Sequence, residues 1–201
     1  MGNFAVVDRD RILVPDPDPL VAGLVEEGLL PVAAIRDADP DAAPPEIRTV
    51  SGLTVFVSAV QREMLAQFCA ATGVPRRRRR DVWADLLEPF VDTEFGDRLQ
   101  EATALRLGEV GLGPAEVAAI RAQVAPAMSA YNAFHADWCH LGLCDLIDAT
   151  DADNYRRVAT FSGIDPHATP ADLPANFPNH TAFLTWAMHI ADLGHYEGHA
   201  A

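Results

Sequence analysis

The chain has 201 residues and a formal net charge of −14, from 29 acidic and 15 basic side chains; its size suits one domain or one domain with a small appendage. Charge of that sign excludes binding to a phosphate backbone as the main activity and predicts no nucleic-acid partner. Hydrophobic residues make up 49%, enough for a sizeable core, yet no apolar run approaches the roughly 18 residues of a membrane span.

The opening "MGNFAVVDRDRILVPD" carries early acids and no apolar stretch of the secretory kind, which predicts the absence of a signal peptide. "NFAVV" and "RILVPD" flank "DRD" as the arms of a short hairpin. "DPLVAGLVEEGLL" has helical spacing at Leu20, Val21, Leu24 and Val25, with Asp18 placed to cap it. "PVAAI" reads as a buried strand, "DADPDAAPPE" as a loop, and "IRTVSGLTVFV" as a hairpin turning at Ser51-Gly52.

After Ser58 the period changes from strand-like to helical. "SAVQREMLAQFCAATG" predicts a helix with Val60, Met64 and Phe68 on one stripe, Leu65 beside it and Gly73 as its stop. Pro75 is a good first helical residue, so "PRRRRRD" reads as the solvated start of a second helix, Arg76–Arg80 facing Asp81, Asp85 and Glu88. The competing reading is a grip on phosphate. The apolar face of this helix is Trp83, Leu86, Leu87 and Phe90. A third helix near Asp97 aligns Leu99, Ala102 and Leu105; a fourth starts at Pro114 and should break or bend at Pro126. "YNAFHADWCHLGLCDLIDATD" follows as a fifth, then "NYRRVATF" as a short one and "NHTAFLTWAMHIADLGHY" as a long last one. The expected fold is mainly α, a helical bundle over 58–201 with a small β-containing layer over 1–57, α+β overall and one compact domain.

The candidate site lies in the fifth helix. At 100° per residue, Asp137, His140, Cys144 and Asp148 share one sector while apolar residues occupy two others, which predicts a central helix whose polar strip meets other helices. Buried carboxylates are costly unless paired or metal-bound. His189 and Asp192 repeat the i, i+3 spacing of Asp137 and His140 in reverse order. Two helices each offering an imidazole and a carboxylate suit iron or manganese, with Glu63 and Glu101 available to complete the shell. The chain has no Glu-x-x-His, the usual dinuclear signature of bundles; it has the shorter Asp-x-x-His at 137–140 and at 192–195. Tyr131, Phe134, Trp138, Phe183 and Trp186 are core aromatics or the lining of an apolar pocket.

Two functions follow. One is an enzyme acting on a small molecule, with Asp137, His140, His189 and Asp192 as ligands in an oxidative, metal-dependent reaction, or with His140 as general base oriented by Asp137 in a metal-free one. The other is a non-catalytic acidic inhibitor, immunity-type or accessory protein whose charge attracts a basic protein partner. An Asp–His pair with a purely structural role has the same spacing. Cys69, Cys139 and Cys144 include no CxxC and cannot all pair, so reduced thiols in a cytoplasmic protein are expected, Cys144 as a small buried hydrophobe. His195 and His199 read as a solvated tail. No GxSxG, HExxH, P-loop or strand-linked GxGxxG is present.

Overall fold

The computed structural model describes residues 4–17, 19–91, 96–135, 140–151 and 177–194, the side chains of residues 134 and 135 excepted. It shows an α+β fold: seven α-helices and two three-stranded antiparallel sheets among the described residues. No helix among them is long and apolar enough to cross a membrane. The chain divides into two compact units, Gly2–Arg80 and Asp81–Leu193.

In the first unit, strands β1 (Val6–Asp8) and β2 (Arg11–Leu13) form the expected hairpin, and β3 (Leu29–Leu30) extends it. Their period of two sends Val7 and Ile12 inward and leaves Val6 and Leu13 exposed. The helical spacing after Asp18 yields only a four-residue helix, α1 (Pro19–Ala22), because Leu29 and Leu30 are taken up by pairing with β2. "PVAAI" is mostly a 3-10 turn over Val32–Ala34. Its last residue opens β4 (Ile35–Asp39), which pairs with β5 (Glu46–Thr49) and through it with β6 (Thr54–Phe56). The turn to β6 passes through Gly52 at φ 84°, while Thr49 Oγ1 accepts the Leu53 amide at 2.9 Å.

Register divides the second sheet into two unlike faces. Ala38, Ile47 and Val55 face a core that includes Val7, Ile12, Leu30 and residues of helix α2 (Arg62–Thr72). The other face carries Asp37, Asp39, Glu46, Arg48 and Thr54, all buried. Arg79 lies across it, ion-paired to Asp37 and 3.7 Å from Glu46; Arg36 and Arg48 hold the same two carboxylates at 3.2 Å. Asp39 accepts the amides of Arg79 and Asp41 at 2.8 and 3.0 Å.

The arginine run is therefore not the start of a helix. Pro75–Arg77 runs beside β4, with Ala38 donating to Pro75 O and accepting from Arg77 N, and α3 (Val82–Leu87) starts only after Asp81 caps it. Five cations in a first helical turn would oppose the helix dipole, whereas Arg79 finds buried carboxylates in the extended form. In α2 the inward residues are Leu65, Phe68 and Cys69; Met64, expected on the stripe of Phe68, is exposed at the edge of that face, and Val60 is exposed because residues 59–61 form a 3-10 turn outside the helix. These inward residues place α2 in the core of the strand-bearing unit rather than with the later helices.

The second unit holds α3, α4 (Asp97–Glu109), α5 (Pro114–His135), α6 (Leu143–Thr150) and α7 (His180–Asp192). Trp83, Leu86 and Leu87 are buried as expected, and Phe90 is half-buried. On α4 the expected stripe is the wrong one: Leu99 and Leu105 are exposed, and Thr103 and Leu107 face inward. Arg106, next to Leu107, explains the phase, since it binds Asp85 of α3 through Nε at 2.9 Å. Pro126 lies inside α5, which continues past it to His135.

Candidate functional site

The stretch 131–151 is not one helix. α5 ends at His135 and α6 begins at Leu143, so His140 precedes α6 while Cys144 and Asp148 lie on it. His140, Cys144 and Asp148 therefore do not share one helical strip, and Asp137 lies outside the described residues. Gly142 caps the start of α6: its amide donates to Asp145 Oδ2 at 2.8 Å, the reach-back of an acid at the third helical position. That Gly-x-x-Asp signal was present in the sequence.

Around this break a small polar cluster forms. His140 Nε2 lies 3.5 Å from Asp81 Oδ2, while Asp81 Oδ1 accepts the Ala84 amide at 2.9 Å as the cap of α3. A Cβ on Gly142 would stand 3.1 Å from Asp81 Oδ2 and 3.3 Å from His140 Nε2, so glycine is what lets α6 start against this pair. Tyr131 donates its hydroxyl to Asp145 Oδ1 at 3.2 Å; burial, then the charges of Asp145 and Asp148, raise its pKa well above that of a free phenol. Cys144 is pushed up to about 12, first by burial and then by Asp148 and Asp145, so it stays a thiol rather than a nucleophilic thiolate.

The other expected site residues are dispersed. Asp137 and Trp138 lie outside the described residues, as does the side chain of Phe134. His189 is exposed on α7 and Asp192 is half-buried at its end. The partner of His140 is Asp81, not His189 or Asp192. Trp186 packs among Phe177, Phe183 and Trp83, with ring centroids 5.0, 5.6 and 5.7 Å away. Trp83 also donates Nε1–H to Ala187 O at 2.9 Å, so these aromatics are bound into the core. Glu63 and Glu101 are exposed in different units, and His195 and His199 lie outside the described residues. Among the described residues no group of three or more His, Cys, Asp or Glu is placed to hold a metal ion. Cys69 and Cys144 are free thiols.

A different feature of the helical unit has the form of a binding site. The turn after α3 (Glu88–Phe90) and the residue that follows it, α4, the α4–α5 connection and α5 line an open groove of about 1220 Å³. Its walls are largely apolar or small (Val91, Leu107, Leu112 and Val117 with Ala104, Gly108, Gly111 and Ala118), and two charges, Glu88 and Arg121, project on it. The groove exists because α4 presents Ala104 and Gly108 where larger side chains would fill the space; a Cβ built on Gly108 meets nothing within 4 Å. Arg121 on α5 donates Nε to Leu86 O and Nη2 to Asp85 O, each at 3.0 Å, which fixes its guanidinium on the last carbonyls of α3. Burial lowers its pKa, and the charges of Glu88 and Asp85 partly offset that. Asp85 itself is committed to Arg106 and not to the arginine run.

Sequence reasoning missed Arg121 and Gly108, since an arginine among alanines on a helix looks like a solvated residue until its carbonyl partners are known. The chain matches no protein-family model, and comparison with curated proteins and with solved structures finds no similar protein.

Proposed function

We propose that this protein binds a small, largely apolar organic molecule in the groove between α4, α5 and the turn after α3. The observation that carries the reading is the groove itself: at about 1220 Å³ it is large enough for a small organic molecule, and its mostly apolar wall carries a guanidinium held in place on α3 carbonyls. Gly108→Leu supplies the test. The new side chain enters open space, suits a helix better than glycine, and occupies the groove. Ligand-detected NMR of the full chain against a set of small apolar fragments should find binders that this variant no longer holds. A protein that binds none of them, or binds them equally after Gly108→Leu, contradicts the proposal.

The Asp81–His140 pair favours a second reading, in which the protein is an enzyme and His140 moves a proton while Asp81 orients it. Asp81 caps the start of α3 whereas Glu88 follows its end, so this chemistry belongs to a different place from the groove. Its signature is turnover of a small molecule that is lost in His140→Gln and kept in Gly108→Leu.

A further inference from the structure

We infer that the molecule held in the groove carries a carboxylate, received by Arg121; the inference rests on the groove being a binding site. Arg121 is half-buried, yet both of its hydrogen bonds go to neutral carbonyls, Leu86 O and Asp85 O. No carboxylate of the described residues lies within 4.0 Å of its guanidinium. Other arginines drawn back from solvent are compensated: Arg48 by Glu46, Arg79 by Asp37, Arg106 by Asp85. In a chain with 29 acids and 15 bases, a half-buried arginine without a salt bridge stands out.

The carbonyl bonds also decide how the ligand is received. They use the Nε–Nη2 edge of the fork, leaving both hydrogens of Nη1 and the second of Nη2. Those are the donors of a two-point grip on a carboxylate, already oriented before the ligand arrives. Glu88 lines the same groove and repels a second negative charge, so the fit is to a monocarboxylate with an apolar body.

Octanoate and octanamide share an apolar chain and differ in the head-group charge. Calorimetric titration of the full chain should show octanoate binding at least tenfold tighter, with the difference lost in Arg121→Met. Glu88→Gln should tighten octanoate and leave octanamide unchanged, which keeps the test alive if Arg121→Met fails to fold. Equal affinities for the two probes, both abolished by Gly108→Leu, would overturn the carboxylate and leave the groove standing. Binding of neither probe, or binding indifferent to Gly108→Leu, overturns the groove reading and this inference together. A dimer dispersed by Gly108→Leu but not by octanoate would do the same, showing a second copy as the occupant.

Discussion

Arg79→Met removes the centre of the charged layer on the second sheet. Arg79 and Asp37 have side-chain exposures of 3% and 0%, so the substitution leaves a carboxylate with almost no access to water. Breaking a buried pair from one side typically costs about 3–5 kcal/mol. Here each carboxylate keeps one guanidinium, Arg36 on Asp37 and Arg48 on Glu46, which sets the expected loss at the low end, about 3 kcal/mol. Residues 2–80 contain neither Trp nor Tyr, so intrinsic fluorescence does not report on this unit. Amide hydrogen exchange does: protection of the slowest amides of β4, β5 and β6 should fall by on the order of a hundredfold, at about 1.4 kcal/mol per tenfold. Arg11→Met, which opens the exposed Arg11–Asp8 pair, is the control and should leave that protection nearly unchanged. Adding Asp37→Leu to Arg79→Met should recover most of the loss, because the penalty belongs to the stranded charge. Protection in Arg79→Met indistinguishable from that in Arg11→Met would refute the reasoning.

Trp83→Phe keeps most of the ring but removes the indole N–H that bonds Ala187 O, a carbonyl that α7 also engages within its own helix, and should cost about 0.5–1.5 kcal/mol in urea unfolding followed by the remaining tryptophans; an unchanged midpoint would show the bond contributes nothing. Gly108→Ala and Gly73→Ala should act in opposite directions. The first adds a better helix former in open space, for about 0.5–1 kcal/mol of stabilisation; the second forces alanine to φ 76° at the end of α2 and costs about 1 kcal/mol, both read by thermal unfolding. Cys144, with its thiol pushed up to about 12, should react with iodoacetamide at pH 8 on the order of a thousandfold more slowly than an unperturbed cysteine, and labelling at an ordinary rate would contradict the burial described. Because its folded value is raised, the associated stability is fully present below the thiol's ordinary 9.0 and is lost as pH climbs towards about 12; Cys144→Ala should remove that contribution to alkaline destabilisation.

What the sequence determined by itself is whatever depends on neighbours along the chain. The hairpin at Asp8–Arg11, the turn at Gly52, the stop at Gly73 and the apolar face of Trp83, Leu86 and Leu87 all follow from local periodicity and turn chemistry, and all are present. Tertiary structure decided the points where a distant partner outweighs local preference. Arg79 stays extended because Asp37 and Glu46 lie buried far back in the chain, a demand the run of arginines does not display. α4 turns Leu105 outward because Arg106 is drawn to Asp85 and Leu107 into the core. The helical spacing of His140 with Cys144 and Asp148 misleads for the same reason in miniature: it needs an unbroken helix, whereas α5 ends at His135, α6 starts only after Gly142, and His140 lies against Asp81. Arg121 is the furthest from the reach of sequence, since its meaning comes from two carbonyls on α3 and from the space left by Gly108, and backbone acceptors and empty volume carry no residue code.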